Sequence, residues 1–260
     1  MLPFINIFGM PLPMYGLMAV VGFGAALAAA LRYTGVYSLS KQDLLFSSVY
    51  MIIGIIIGSK LMYFITYIPK LIENFDIFLK HPWETIMIVF SGYVFYGGLI
   101  GGAIGVIIYA RQYKLNIWKF ADVIAPVIPL FHGFGRIGCF FGGCCYGIEY
   151  HGVFAVKFPY NELVPELSAV ERFPVQLMEA GMNFVLFIVL YTYGRKKRKP
   201  GRLLGIYLVS YTFIRIITEY FRGDVVRGVY GGGISTSQIV SFILLPVGIW
   251  LILRKEKAVV

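Results

Sequence analysis

Charged residues are scarce in this chain. They make up 14% of its 260 residues, whereas a soluble domain carries about 25%. Apolar residues account for 58%, and the mean hydropathy is +0.77. This composition excludes an ordinary soluble globular fold and indicates a protein whose solvent is the lipid bilayer.

The sequence also lacks an internal repeat, a low-complexity tail and a segment polar enough to form a soluble domain. The missing repeat argues against a transporter, because many transporter folds are built from two related halves. The opening residues, MLPFINIFGMPLPMYG, contain no Lys or Arg, so we expect no cleaved signal peptide. A single integral membrane domain over residues 1–260 is the expected organisation.

Seven apolar runs of roughly 20 residues, the length that crosses a bilayer core, are present. They lie near residues 13–33, 44–67, 93–111, 119–141, 175–193, 203–221 and 236–253. The predicted fold class is therefore an all-α polytopic membrane protein with seven transmembrane helices. Pro126 and Pro129 interrupt the fourth run, and membrane spans tolerate such breaks where they line a protein or water-filled cavity.

The net charge of +10 follows a pattern typical of membrane topology. With the N-terminus outside, 14 of the 23 Lys and Arg fall on the cytoplasmic side and 6 on the outer side, while 3 fall in or beside spans. This excess predicts an N-out, C-in orientation. The run RKKRKPGR at 195–202 is then a cytoplasmic loop near anionic lipid head groups, and we expect no nucleic-acid partner.

Two outer segments are long enough to form structures of their own. Residues 68–92 contain two prolines and a tryptophan and are predicted to form an arm along the membrane interface. Residues 142–173 alternate apolar and polar positions over part of their length and are predicted to form a small head with a short hairpin.

Charged side chains inside the spans are expensive to bury and usually functional. Five qualify: Lys60, Arg136, Glu179, Arg215 and Glu219. Arg215 and Glu219 share one helix face with Arg222, at spacings i, i+4 and i+7. The simplest interpretation of this face is an ion pair between an arginine and the glutamate within the helix. Because its two arginines exceed its one acid, we expect a surplus of positive charge that binds a lipid phosphate.

Glycines crowd the run FYGGLIGGAIG. Gly97, Gly101 and Gly105 recur every four residues, which is typical of close helix packing. Glycine also lets a backbone N–H approach a phosphate. Both interpretations are compatible.

All three cysteines lie in GFGRIGCFFGGCCYG, residues 133–147. The spacing of Cys139, Cys144 and Cys145 is not that of a zinc site, and we expect no metal and no cofactor. A disulfide from Cys139 to Cys144 or Cys145, a reactive thiol beside Arg136 and simple packing all remain open.

Several motifs together resemble one family. In chain order they are PMYGLM, GIIIGSKLMY, YGGLIGG, DVIAPVIPLFHGFGRIG, FPVQLMEA and YLVSYTFIRIITEYFRGD. Their identity and order are similar to those of the bacterial prolipoprotein diacylglyceryl transferases, and the likeness covers nearly the whole chain.

The resemblance implies a seven-span transferase of the bacterial plasma (inner) membrane, with its active site toward the outer leaflet. Such an enzyme moves the diacylglyceryl group of phosphatidylglycerol to the lipobox cysteine of a preprolipoprotein signal peptide and releases glycerol phosphate. The implied catalytic residues are Arg136, Arg215, Glu219 and Tyr96. With the residues singled out above, the candidate substrate-binding set is Tyr15, Lys60, Gly97, Gly98, Gly135, Gly138, Cys139, Cys144, Gly147, Tyr211 and Arg222.

Two departures from the family pattern stand out. Tyr96 occupies the position of a histidine that is a candidate base in well-known members. Cys139, Gly142 and Cys144 replace Asn, Asn and Glu of the family signature. These changes leave open a relative of the same fold that uses another acceptor, with Cys139 or Cys144 as the nucleophile in one version, and also an anionic-lipid transporter.

Overall fold

The computed structural model describes residues 4–7, 9–160, 165–224, 228 and 234–254. Its elements are β1 (Phe4–Ile7), β2 (Met10–Pro13), α1 (Met14–Tyr33), α2 (Lys41–Glu73), α3 (Phe75–Lys80), α4 (Pro82–Ser91), α5 (Phe95–Gln112), α6 (Ile117–Ile124), α7 (Ile128–Gly142), α8 (Pro165–Ala169), α9 (Val175–Tyr193), α10 (Arg202–Tyr220) and α11 (Thr236–Leu253). The predicted all-α, multi-pass membrane fold is confirmed.

The long apolar helices coincide with the predicted runs. Within the described residues, six segments are long and apolar enough to cross a membrane, and α4 with α5 makes a seventh when this pair, bent by 68°, is counted as one span. The longest helix, α2, continues past the predicted end at 67 to Glu73. Sidedness stays a prediction.

The fourth run is interrupted where its prolines predict. Helix α6 passes into a 3₁₀ turn, Ala125–Val127, before α7 begins. Proline has no N–H to donate to the preceding turn, so the chain changes helix type at Pro126 and continues in the same span, Ile117–Gly142. This places α7, which carries Arg136, at the end of a broken helix.

The chain divides into two compact units, one of residues 1–38 and 121–260 and the other of residues 39–120. In the second unit, α2 and α5 meet through glycines. A Cβ on Gly101 would overlap the carbonyl oxygen of Gly54, and one on Gly97 would overlap that of Gly58. The glycine run of α5 therefore forms the close helix packing that its spacing predicts.

In the first unit, α7 packs against α1 and α9, and α10 packs against α9 and α11. The start of α10 is held by the buried carboxylate of Asp122, which accepts hydrogen bonds from the N–H groups of Gly201 (2.8 Å) and Leu203 (3.1 Å). The carboxylate satisfies amides that a helix N-terminus leaves unpaired.

The N-terminus and the two predicted outer segments, the arm and the head, differ in detail from the predictions. An N-terminal hairpin, β1 paired antiparallel with β2, was not predicted. The arm region is helical, as the end of α2, α3 and α4. The described part of the head has isolated bridges, such as Val156 with Arg172, in place of a continuous hairpin. Its residues 161–164 lie outside the described residues, as do Arg227, Lys255 and Lys257 of the charge pattern.

The glycine contact between α2 and α5 makes a prediction about stability. Gly101→Val should lower the free energy of unfolding by about 2 kcal/mol or more, because the new side chain forces two backbones apart. Gly98→Ala is the matched control, since its Cβ would meet Ile55 Cγ2 at an ordinary 3.4 Å. Denaturant titration in detergent micelles measures both, and equal stability of the two variants would contradict the packing assignment.

Candidate active site

One carboxylate joins three helices of the first unit. Glu179 of α9 is 1% exposed. Its Oε1 lies 3.0 Å from Nη2 of Arg136 and 3.5 Å from Nε2 of His132, both on α7. Its Oε2 lies 4.0 Å from Nη1 of Arg215 on α10. Glu179 is thus the centre of an arginine–carboxylate cluster, which we define as Arg136, Glu179, Arg215 and Glu219.

Helical spacing explains why these side chains converge. His132 and Arg136 are four residues apart on α7, so both face α9. On α9 itself, Gln176, Glu179 and Asn183 are each no more than 1% exposed. Their spacing of three and four residues puts them on one face. The span therefore has a buried polar stripe.

Arg215 is held more tightly than Arg136. Its Nη2 lies 2.6 Å from Glu219 Oε2, four residues along α10, and donates a 2.6 Å hydrogen bond to Ser237 Oγ. Nη1 donates to Thr218 Oγ1 at 3.5 Å. These contacts fix the guanidinium between α10 and the start of α11.

The predicted surplus of positive charge is wrong for the arginines. In the cluster, Arg136 and Arg215 are matched by Glu179 and Glu219. Arg222 lies just beyond α10 and makes two hydrogen bonds, of 2.7 and 2.6 Å, to the carboxylate of Asp224. The prediction set the arginines of α7 and α10 against Glu219 and left out Glu179, which lies on α9 and far away in sequence.

The environment of Arg222 agrees with this pairing. Burial alone would lower the pKa of its guanidinium, but the hydrogen bonds to Asp224 raise that pKa above its ordinary value. Arg222 is therefore a stable cation with a carboxylate partner.

The cluster and the polar stripe of α9 contain buried polar atoms that no described residue satisfies. Among the described residues, Arg136 Nε, Gln176 Oε1 and Asn183 Oδ1 are buried without a hydrogen-bond partner. Buried polar groups are normally hydrogen-bonded, so these atoms are available to a polar ligand. Beside Arg136, a Cβ on Gly135 would meet nothing within 4 Å, so α7 has open space there.

Other predicted residues of the first unit lie beside the cluster, along α7 or at the base of the head. The rings of Tyr211 and His132 are 5.2 Å apart. Gly138 packs against Tyr15, whose Cα would lie 3.2 Å from a Cβ at that position. A side chain on Gly147 would overlap the carbonyl oxygens of Phe173, just before α9, and Phe221, just after α10, so that glycine joins the head to the end of α10.

Four predicted residues belong to the second unit: Lys60, Tyr96, Gly97 and Gly98. Lys60 Nζ donates a 2.6 Å hydrogen bond to the carbonyl of Phe90 and lies 4.4 Å from the ring centre of Tyr93. Gly97 packs against α2. These contacts give Lys60 and Gly97 structural roles within their own unit.

The cysteines lie at the end of α7, where Cys139 is buried, Cys144 is exposed and Cys145 is half-buried. All three are free thiols, so neither of the disulfides left open by the sequence is formed. Hydrogen bonds from Cys139 and Cys144 lower the pKa of the Cys145 thiol, and Arg222 and Arg136 act in the same direction.

Sequence reasoning missed two residues of the site. The sequence identifies Glu179 only as a charge within a span, outside the catalytic set, and it assigns no role to His132. The available signals were the i, i+4 spacing of His132 with Arg136 and the polar stripe of α9.

The chain is similar to known membrane transferases. The family model described as prolipoprotein diacylglyceryl transferase matches residues 3–254. Phosphatidylglycerol–prolipoprotein diacylglyceryl transferase 2 of Clostridium perfringens is 32% identical over 254 residues, which is 95% of this chain and 92% of the relative. The corresponding proteins of Clostridium tetani and Legionella pneumophila (strain Corby) are 33% and 34% identical over 246 residues, covering 95% and 91% of this chain and 94% and 90% of the relatives.

The position of Glu179 makes a prediction about stability. Glu179→Gln should lower the free energy of unfolding by about 3 kcal/mol, because it leaves buried guanidinium groups without their counter-charge. Glu149→Gln removes an acid whose side chain is 56% exposed and should cost less than about 1 kcal/mol. Chemical denaturation in the same detergent compares the two, and equal losses would remove Glu179 from the centre of the cluster.

Proposed function

Because the chain belongs to the prolipoprotein diacylglyceryl transferase family, we propose that it transfers the diacylglyceryl group of phosphatidylglycerol to a lipoprotein precursor, with its arginine–carboxylate cluster binding the lipid phosphate. The observation that carries this assignment is the buried, unpaired Nε of Arg136 beside an open stretch of α7. A guanidinium has five N–H donors, so Arg136 can hold Glu179 and a phosphate together.

The reaction exchanges one bond for another. The lipobox thiol loses its proton and its sulfur attacks the glycerol carbon that carries the phosphate ester. A sulfur–carbon bond forms as the carbon–oxygen bond breaks, and the oxygen leaves with the electron pair as glycerol phosphate. The products are the thioether-linked diacylglyceryl peptide, glycerol phosphate and one proton, which a base accepts.

The two arginines of the cluster act on the phosphate in different ways. Arg136 donates directly to the leaving group, where negative charge grows in the transition state. Arg215, fixed by Glu219 and Ser237, supplies a positive charge that does not move. The cluster is neutral before substrate binds, and Arg136 keeps Glu179 on Nη2 while its Nε donates to the phosphate.

His132 is the base that the geometry favours. Its Nε2 lies 3.5 Å from Glu179 Oε1, and a carboxylate at this position orients the imidazole. Tyr96 is placed in the catalytic set by its family position. A phenol is protonated at neutral pH in its ordinary state, so it would have to lose its own proton before it could accept one.

The site fits the membrane side inferred from charge. Arg136 is six residues before the end of α7 at Gly142, which is about 9 Å along the helix axis. The head follows directly. With the N-terminus outside, this end of α7 lies at the outer leaflet of the plasma (inner) membrane, where exported precursors present their signal peptides.

Transfer in vitro tests the assignment of Arg136. Purified protein, phosphatidylglycerol and a lipobox peptide should give the diacylglyceryl peptide and glycerol phosphate, both detected by mass spectrometry. Arg136→Ala and Arg136→Lys should each reduce the rate about 100-fold or more, because lysine keeps the charge but loses the planar fork. Arg111→Ala, at an exposed position, should retain full activity.

Each alternative gives a different result in this assay. Full activity in Arg136→Lys would reduce Arg136 to a counter-charge for Glu179. Phosphatidylglycerol that binds but gives no peptide product would indicate a different acceptor.

The base is tested by comparing two variants. His132→Asn should reduce the rate about 100-fold and remove the acidic limb of the rate–pH profile, whereas Tyr96→Phe should keep that limb. Loss of the limb in Tyr96→Phe alone would assign the proton to Tyr96.

A further inference from the structure

The three cysteines are brought together by the way α7 ends. Gly143 adopts a left-handed conformation with φ of 68°. Its N–H donates to the carbonyl of Phe140 (3.4 Å), and the N–H of Cys144 donates to that of Cys139 (3.1 Å). This pair of bonds is a Schellman motif, in which the residues at the positions of Cys139 and Cys144 normally make a hydrophobic contact. Here both positions carry thiols.

The third thiol is turned toward the first two by an unusual backbone conformation. Cys145 has φ of 57°, a left-handed value that costs a residue with a side chain roughly 1–2 kcal/mol. Such strain persists where the surroundings hold it. One holding contact is the 2.9 Å hydrogen bond from Gln176 Nε2 to the Cys144 carbonyl. As a result, the three Sγ atoms all lie within 4.8 Å of one another.

These sulfur positions approach those of a metal–thiolate site. Sulfurs bonded to zinc at about 2.3 Å lie about 3.8 Å apart in a tetrahedron. The observed cluster therefore needs to contract by about 1 Å at most, a movement of side-chain torsions. The sequence spacing argued against zinc because it lacks the usual pairs of ligands, but the helix end places the thiols together without such pairs.

The surroundings suit an anionic complex. Three thiolates around a monovalent or divalent cation leave a net negative charge. Arg136 and Arg222 both interact electrostatically with the Cys145 thiol. Each also has a carboxylate partner, so the charge that they offset is a small part of the total. Thiolate ligands select soft or borderline cations over hard ones such as Mg²⁺ and Ca²⁺.

We propose that Cys139, Cys144 and Cys145 bind one thiophilic cation, Zn²⁺ or Cu⁺, at the junction of α7 and the head. Three protein ligands leave one position for water in the case of zinc, whereas Cu⁺ accepts three sulfurs alone. The site does not depend on the transfer reaction. Bound metal fixes the turn that begins three residues after Arg136, and so restrains the head relative to the end of α7.

Direct titration tests this site in the full-length protein. The protein is purified in detergent under reducing, oxygen-free conditions, and thiol titration verifies three free cysteines. Zn²⁺ and Cu⁺ are then added separately in competition with a chelator of known affinity. One equivalent of at least one ion should bind, and the ion that binds identifies the site's metal.

Variants show where the ion binds. Disturbing an outer hydrogen-bond partner of a metal ligand already costs 10–100-fold in affinity, so Cys144→Ser and Cys145→Ser should each cost more than about 100-fold. His151→Gln is the matched control, because His151 is an exposed potential ligand in the head, and it should bind as the unaltered protein does.

A measurement on the unaltered protein removes any dependence on how the variants fold. Bound ion should slow alkylation of the three thiols by a maleimide at least tenfold. Three free thiols that bind neither ion, affinity unchanged in the cysteine variants, or a reduced protein with only one titratable thiol would each overturn the proposal.

Discussion

The ion pairs of Glu179 are the constraint on which the packing of the first compact unit depends. A single carboxylate, 1% exposed, meets the charged groups of α7 and α10 at once. In a medium of low dielectric constant, an unpaired charge costs far more than a paired one. The rotation of α9 about its axis, and the facing sides of α7 and α10, are therefore set by electrostatics as much as by apolar packing.

The neutrality of this cluster changes how anion recognition works. A site with excess positive charge would have to keep that excess in the membrane before any lipid arrived. Here the arginines are paired with carboxylates, and in the proposed reaction Arg136 would use its remaining Nε donor for the phosphate without giving up Glu179. The protein thus carries strong anion-binding groups within the bilayer without an uncompensated charge.

Helical periodicity made the spans, the Arg215–Glu219 pair and the glycine contact of α5 predictable, because each depends on residues within one helix. The position of Glu179 at the centre of the cluster was not predictable, since it depends on how α7, α9 and α10 are rotated relative to one another. The Asp122 cap on α10 joins residues about 80 positions apart. The sulfur cluster depends on two left-handed residues, of which only Gly143 is signalled by its residue type. Family motifs located Arg136 and Arg215 but left Glu179 and His132 unassigned.

The internal ion pair of α10 bears on how the protein enters the membrane during synthesis. Among the six candidate spans in the described residues, α10 has the lowest mean hydropathy, 1.2, and an arginine at a helix centre costs about 2.5–3.5 kcal/mol on translocon-based scales. Because Glu219 is one turn from Arg215, the nascent helix can neutralise this charge before any other helix is beside it. The link to Glu179 requires α9 and α10 to be packed together. Insertion and packing are therefore separate steps for this helix. Helix α10 can enter the lipid with its own ion pair formed, before Arg215 comes close to Glu179 of α9.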